Sequence, residues 1–350
     1  MSGGTEVAGA AEAGPPARTR GPGQSAWTPT QVARNGSVAI AYDRLAGSAG
    51  DPLLLVMGLA VSRFWWPTGL CQELAGRGFA VARYDHRDAG HSTRMPDTGG
   101  SNPLVALVRK RGAYTSEDMT DDAITVLDAL GWKRAHIFGA SLGGIIAQRI
   151  ALRPPDRVLS VTSMAGLPSD VSGLSAGRYI RFGLLAKLAP TRFPEGREGD
   201  IQQSLMLARA VASAAYPFDE HAAREWIERE VDSGPRDVKA QSRQAGAAWH
   251  GPKLRELRKP VLVLHGEQDP LLRVSAAHAT AKAIEGARLL ILPGAGHDLP
   301  APLWATIADE IRQLADRAHA AAVGGAPDAH VEARCMVTGS LRKPSIDSAG

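Results

Sequence analysis

Cysteine is almost missing from this chain of 350 residues, with two in all, Cys71 and Cys335. One falls in a helical pattern and the other in a polar stretch, and neither has metal-type spacing around it. A disulfide framework is therefore not expected, and a reducing compartment fits the composition. Long apolar runs are missing too, so no spanning helix is expected, and a membrane partner is not called for. The formal charge is only +4, and lysines and arginines never gather into a block, which leaves nucleic-acid binding without support. The N-terminus lacks a basic segment followed by an apolar one, so cytoplasmic residence is the expectation.

What is present is an ordinary globular composition, 44% hydrophobic and 22% charged, able to fill a sizeable core. The length allows one large α/β domain or two smaller ones. Residues 1–28 are rich in Gly, Ala and Pro and cannot bury enough surface to offset their ordering entropy, so they read as a disordered tail. Residues 319–350 read the same way.

Between the tails, strand and helix patterns alternate. "SVAIAYDRLA" (37–46) alternates apolar and polar residues, as an antiparallel strand does. "PLLLVMG" (52–58) is a continuous apolar run, as expected of a parallel strand buried on both faces. "FAVARYD" (79–85), "RAHIFG" (134–139), "RVLSVTSMAG" (157–166), "PVLVLHG" (260–266) and "RLLILPG" (288–294) are further strands. "TSEDMTDDAITVLDALG" (115–131) carries Met119, Ala123, Val126, Leu127 and Leu130 on one helical face. Thr115 with Asp118 makes a capping box before that helix, and Gly131 stops it. "LGGIIAQRIALRP" (142–154) is a second helix, ended by prolines. Alternation of this kind implies a mostly parallel sheet covered on both faces. Residues 168–250 break it with helical patterns and no strand. They read as a helical cap inserted between a first core segment, 29–167, and a second, 251–318.

"HIFGASLGGIIAQ" places Ser141 at the end of a strand and the start of a helix, inside Gly139-Ala140-Ser141-Leu142-Gly143. That setting gives the G-x-S-x-G pattern its meaning. A tight strand-to-helix turn exposes the serine, and the helix N-terminus offers free N–H groups where an oxyanion would form. A serine hydroxyl is a poor nucleophile until a base takes its proton. Of the ten histidines, His297 in "LPGAGHDLP" lies on a Gly-rich loop after the last strand, at the edge where Ser141 emerges. His136 lies within a strand and reads as packing. Asp269 in "VLVLHGEQDP" is placed to orient the imidazole, with Glu267 as the rival carboxylate and Asp298 pointing elsewhere. The order Ser141, Asp269, His297 is the chain order of the α/β-hydrolase triad. The oxyanion donors are expected to be the N–H groups of Leu142 and Leu59.

Taken together, these residues resemble the α/β-hydrolase superfamily over roughly residues 30–318. "RYDHRDAGHS" is similar to that family's D-x-R-G-x-G-x-S loop, with Asp88-Ala89-Gly90 in place of the usual arrangement. Met57-Gly58 stands where the family commonly has His-Gly. The Met-Gly pair, with "YDHRD" and "WHGPKLRELRKPVLVLHGEQDP", resembles the actinobacterial aclacinomycin methylesterase group, which removes a methyl ester from a polycyclic aromatic polyketide. The resemblance implies the α/β-hydrolase fold, a mostly parallel eight-stranded sheet with helices on both faces and an inserted helical cap. It also implies serine esterase chemistry on a small hydrophobic ester, with no cofactor and no metal. A C–C bond hydrolase or perhydrolase would use the same triad, and a ligand-binding protein would share the fold without turnover. Phe64, Trp65 and Trp66 either line a pocket or pack a helix on the sheet, and Trp226 and Trp249 in the cap are open in the same way. Asp85 and Arg87 are expected to brace their loop.

Overall fold

The computed structural model describes residues 26–96, 105–106, 113–188, 191–234, 237 and 239–323. The strands are β1 (Gln31–Asn35), β2 (Val38–Arg44), β3 (Asp51–Val56), β4 (Phe79–Tyr84), β5 (Ala135–Ala140), β6 (Val158–Met164), β7 (Val261–Gly266) and β8 (Arg288–Leu292). They form one eight-stranded sheet in the order β1-β2-β4-β3-β5-β6-β7-β8. β2 pairs antiparallel with both β1 and β4, and every other pairing is parallel. This is the mostly parallel sheet that the alternation implies. β1 left no readable period, because Ala33 is the only buried residue of its five.

The apolar run of β3 divides between the two faces. Leu54 and Val56 pack with Ile137, Val126, Ile146 and Ile150. Leu53 and Leu55 pack with Phe138, Leu70, Ile307 and Ile311 on the other side. The first face is covered by α2 (Ser116–Ala129) and α3 (Leu142–Leu152), and the second by α1 (Thr68–Gly76) and the long C-terminal helix (Trp304–Val323). Burial on both faces is why these strands read as continuous hydrophobic runs. At the start of α2 the capping box forms as expected, with the Asp118 N–H on the Thr115 hydroxyl and the Thr115 N–H on the Asp118 carboxylate. Gly131 follows that helix at φ 71°, a conformation natural to glycine.

Between β6 and β7 run α4 (Leu174–Gly177), α5 (Phe182–Leu188), α6 (Arg197–Val211), α7 (Glu220–Asp232) and α8 (Ala240–Gly246). Ile201 and Ala208 of α6 interlock with Ala223 and Ile227 of α7. After β7 come α9 (Ser275–Ala283) and, after β8, the C-terminal helix, α10. Among the described residues no helix is long and apolar enough to cross a membrane.

The expected tails are corrected at their inner ends. Trp27, placed in the first tail, is 4% exposed and bridges to Leu45, with the Arg83 guanidinium 3.4 Å from its ring centre. A large side chain stacked on a buried cation holds this inner end against the sheet. At the other end α10 runs to Val323, because Leu314, Ala315 and Ala318 continue its buried stripe. The remainder of both tails, 1–25 and 324–350, lies outside the described residues.

Candidate active site

Pairing of β3 with β5 and of β5 with β6 brings Val56, Gly139 and Ser163 to one level of the sheet. The loops that follow these strands therefore open on a common carboxyl edge, where sites of open α/β sheets gather. Ser141 occupies the turn between β5 and α3 at φ 56° and ψ −119°, a strained conformation for a residue with a side chain. The flanking glycines are dictated by space. A Cβ on Gly139 would come within 2.0 Å of the Gly143 carbonyl oxygen, and one on Gly143 within 1.9 Å of the Val56 carbonyl oxygen. The Ser141 N–H is tied to the Met164 carbonyl at 2.8 Å, which anchors the turn to β6.

Gly58 lies directly beside the serine, since a Cβ there would stand 3.4 Å from the Ser141 Cβ. Leu59 follows on the same loop, and Leu142, as the first residue of α3, has no carbonyl a turn earlier in its own helix to receive its N–H. Leu142 adjoins Ser141 in sequence, and Leu59 is the neighbour of Gly58, which borders the serine. His86 holds the loop from below, with Nε2 2.9 Å from the Met57 carbonyl oxygen; burial pushes this imidazole down to about 4.

Asp269 and His297 are brought together. His297 Nδ1 lies 2.7 Å from Asp269 Oδ2, and the Leu271 and Leu272 N–H groups both donate to Oδ1 at 2.8 Å. Burial alone would raise the Asp269 pKa. The charge and hydrogen bond of His297, helped by the Leu272 N–H, outweigh it and hold the carboxyl below its ordinary range. The His297 backbone N–H donates to the Val211 carbonyl at 2.9 Å, so α6 fixes the loop that carries it. Neither rival carboxylate reaches the imidazole. Glu267 accepts the Gly294 N–H, and Asp298 accepts the Ser213 hydroxyl. The Ser141 hydroxyl makes no side-chain capping bond in α3 and is not hydrogen-bonded to His297.

The loop after β4 is braced by buried ion pairs, as expected of Asp85 and Arg87. Asp85 accepts the N–H groups of Arg63 and His91 at 2.7 and 2.9 Å and pairs with the Arg63 guanidinium. Arg87 grips Asp122 through both carboxylate oxygens at 2.6 and 2.7 Å. Asp88 is gripped in the same way by Arg243 of α8 at 2.9 and 2.8 Å. The next residue, Gln244, accepts the Ala60 N–H at 2.7 Å and donates to the Arg87 carbonyl at 2.9 Å. Glu230 of α7 accepts the Ser62 N–H at 2.9 Å and the indole N–H of Trp65. Sequence reasoning missed Gln244, Glu230 and Arg243, because nothing local marks a helix residue as the partner of a distant loop.

The aromatic trio divides. Trp66 is 1% exposed and packs on Phe138 at 4.8 Å between ring centres, as core. Phe64 is buried beneath the Arg63 and Arg229 guanidinium groups. Trp65 packs against Trp226 in a tilted arrangement, 4.2 Å between ring centres, and, with Leu59, Ala60 and Leu207, lines a cleft between the loop after β3 and α6. Trp249 is held by the Pro252 carbonyl and the Arg149 guanidinium, a structural setting.

Known proteins fit this architecture. The chain is 29% identical over 293 residues to a rhodomycin D methylesterase of Streptomyces sp. strain C5, covering 78% of this chain and 93% of that protein. It is 27% identical over 253 residues to a 2-hydroxymuconate semialdehyde hydrolase of Pseudomonas putida, covering 71% and 81% respectively. The crystal structure of an esterase from Rhodococcus sp. ECU1013 superposes with a TM-score of 0.61 at 21% identity, covering 82% of this chain and 98% of the other, a likeness of fold. The family model described as alpha/beta hydrolase fold matches residues 51–300, which takes in Ser141, Asp269 and His297. The chain belongs to the alpha/beta hydrolase family.

Proposed function

We propose that this chain is a serine esterase that cleaves a carboxylic ester of a small hydrophobic molecule through an acyl-enzyme. One observation carries the reading: a serine in a strained turn shares the sheet's carboxyl edge with a buried Asp269 that lies 2.7 Å from His297. His297 donates its Nδ1 proton to Asp269, which leaves Nε2 as the base. As substrate enters, the serine–imidazole contact closes, a tightening common between free and bound enzymes. Nε2 takes the Ser141 proton, Oγ attacks the ester carbonyl, and the Leu59 and Leu142 N–H groups receive the oxyanion. The intermediate collapses, and the alcohol leaves with the proton from His297. Water, deprotonated by the same nitrogen, then frees the acid and restores Ser141. The scheme calls for no cofactor.

The rhodomycin D methylesterase likeness supports an ester as the bond cleaved and a methyl ester of a polycyclic aromatic compound as the substrate class. Hydrolysis of p-nitrophenyl esters from acetate to decanoate, wild type beside Ser141→Ala, tests the chemistry. Loss of turnover in the variant supports it, and the chain-length optimum sizes the acyl pocket. Equal turnover by both proteins would sink it. The likeness to 2-hydroxymuconate semialdehyde hydrolase favours a second reading, C–C bond hydrolysis by the same residues. A preference in kcat/KM for a vinylogous diketone over every ester would select it.

A further inference from the structure

At the amino edge of the sheet, remote from Ser141, three side chains converge that the esterase scheme does not use. Asp51 opens β3, His136 is the second residue of β5, and His319 lies near the end of α10. The register explains the meeting. Leu53 pairs with His136, and Asp51 lies two residues before Leu53, so all three share one face of the sheet. That is the face on which Leu53 packs against Ile311 and Leu314 of α10. One donor atom from each of Asp51, His136 and His319 lies within 4.8 Å of the others. His319 Nε2 is 3.7 Å from Asp51 Oδ1, and the two imidazole rings are 5.6 Å apart.

A second observation points to a ligand. His136 is 1% exposed, and its Nδ1 lies 2.7 Å from the Ser160 hydroxyl, yet its Nε2 is buried with no hydrogen-bond partner. A histidine kept only for packing does not gain from a bare buried nitrogen, which has lost water and received nothing in return.

We propose that Asp51, His136 and His319 form a site for a late first-row divalent cation of the zinc type, with solvent completing the shell. Two imidazoles and a carboxylate suit such an ion, whereas calcium and magnesium prefer oxygen alone. With its Nδ1–H on Ser160, His136 offers the Nε2 lone pair, and the serine fixes the ring as outer partners of metal ligands do. The nearby cation is compatible. Arg312 takes the other oxygen of Asp51, Oδ2, at 2.8 Å, and is itself paired with Asp316 at 2.7 Å. The bound ion fastens the end of α10 to β3 and β5, a structural clasp at the edge opposite catalysis.

The test uses the full chain, stripped with a chelator and titrated with Zn²⁺ by calorimetry and with Co²⁺ by visible absorption. His319→Ala is the main variant, because this half-exposed side chain is dispensable to the core. Asp51→Asn is the second, and His297→Ala controls for the imidazole at the other edge. Wild type and His297→Ala are expected to bind one equivalent. His319→Ala and Asp51→Asn are expected to bind about a hundredfold more weakly or not at all. Zn²⁺ should raise the melting temperature of wild type and not of His319→Ala. No saturable binding by wild type, or equal binding by His319→Ala, overturns the proposal. Neither result depends on whether the chain hydrolyses esters.

Discussion

Asp269 Oδ2 stands between two imidazoles, with His297 Nδ1 at 2.7 Å and His265 Nε2 at 3.3 Å. His265 is fully buried, and burial lowers its pKa despite the neighbouring carboxylate, so it faces Asp269 as a neutral ring. Replacing the carboxylate by an amide removes the preference for the Nδ1–H tautomer of His297. Asp269→Asn is expected to lower kcat about ten-thousandfold with little change in KM. Glu267→Gln and Asp298→Asn should leave kcat near wild type, since those carboxylates serve Gly294 and Ser213. A large loss in either one would move the acid of the triad.

Under the proposed esterase reading, Gln244 positions the loop that carries Leu59. Its carbonyl receives the N–H of Ala60, which adopts φ 55°, one residue beyond the expected donor Leu59. In Gln244→Ala that loop loses its hold and the donor drifts, which costs transition-state stabilisation more than substrate binding. The expected result is a fall in kcat of about tenfold to a hundredfold at nearly constant KM. Gln244→Glu, which keeps an acceptor, should recover part of it. A rise in KM alone would assign Gln244 to the substrate pocket instead.

Gly143→Ala sets a methyl 1.9 Å from the Val56 carbonyl oxygen, and backbone cannot yield as a side chain can. Destabilisation of about 3 kcal/mol or more is expected from urea unfolding. Gly183→Ala, where no atom lies within 4 Å, should cost nothing measurable. Equal stability of both variants would mean that the turn around Ser141 has slack.

Burial takes His86 from 6.5 down to about 4. Between those values the unfolded chain binds the proton that the folded chain refuses, so stability rises with pH. The contribution is complete above pH 6.5 and is lost as pH falls towards 4, roughly 3 kcal/mol over the window. Urea unfolding of wild type and His86→Gln at about pH 7.5 and about pH 4 reads this out. The variant should lose less stability on acidification, and parallel losses would remove His86 from the account.

The turn at Ser141 and the meeting of Asp269 with His297 were legible because each residue follows a strand with a strong apolar signature, and glycine or proline marks the turn. β3 was legible through Leu53–Leu55, and the helix at 116–129 through its period and its cap. Where the signal failed, the reason was distance or sparseness. β1 buries one residue, and Trp27 finds its partner Arg83 only after the sheet has formed. Trp65 and Trp66 are neighbours in sequence, but only the fold sends one to the cleft and the other to Phe138. His136 was read as packing, and it does pack against Phe79. That His319 and Asp51 close on it could not be seen before the register of β3 and β5 was known.

The hydrogen bond from Ala60 to Gln244 spans 184 positions of sequence, and the one from Ser62 to Glu230 spans 168. Both join the loop beside the nucleophile to the inserted helices. The insertion is therefore not an interchangeable module laid on a finished catalyst. Under the proposed esterase reading, selectivity and turnover are inherited together. A chimera that borrows a foreign lid for a new substrate keeps its rate only if the graft brings its own acceptors for the Ala60 and Ser62 amides.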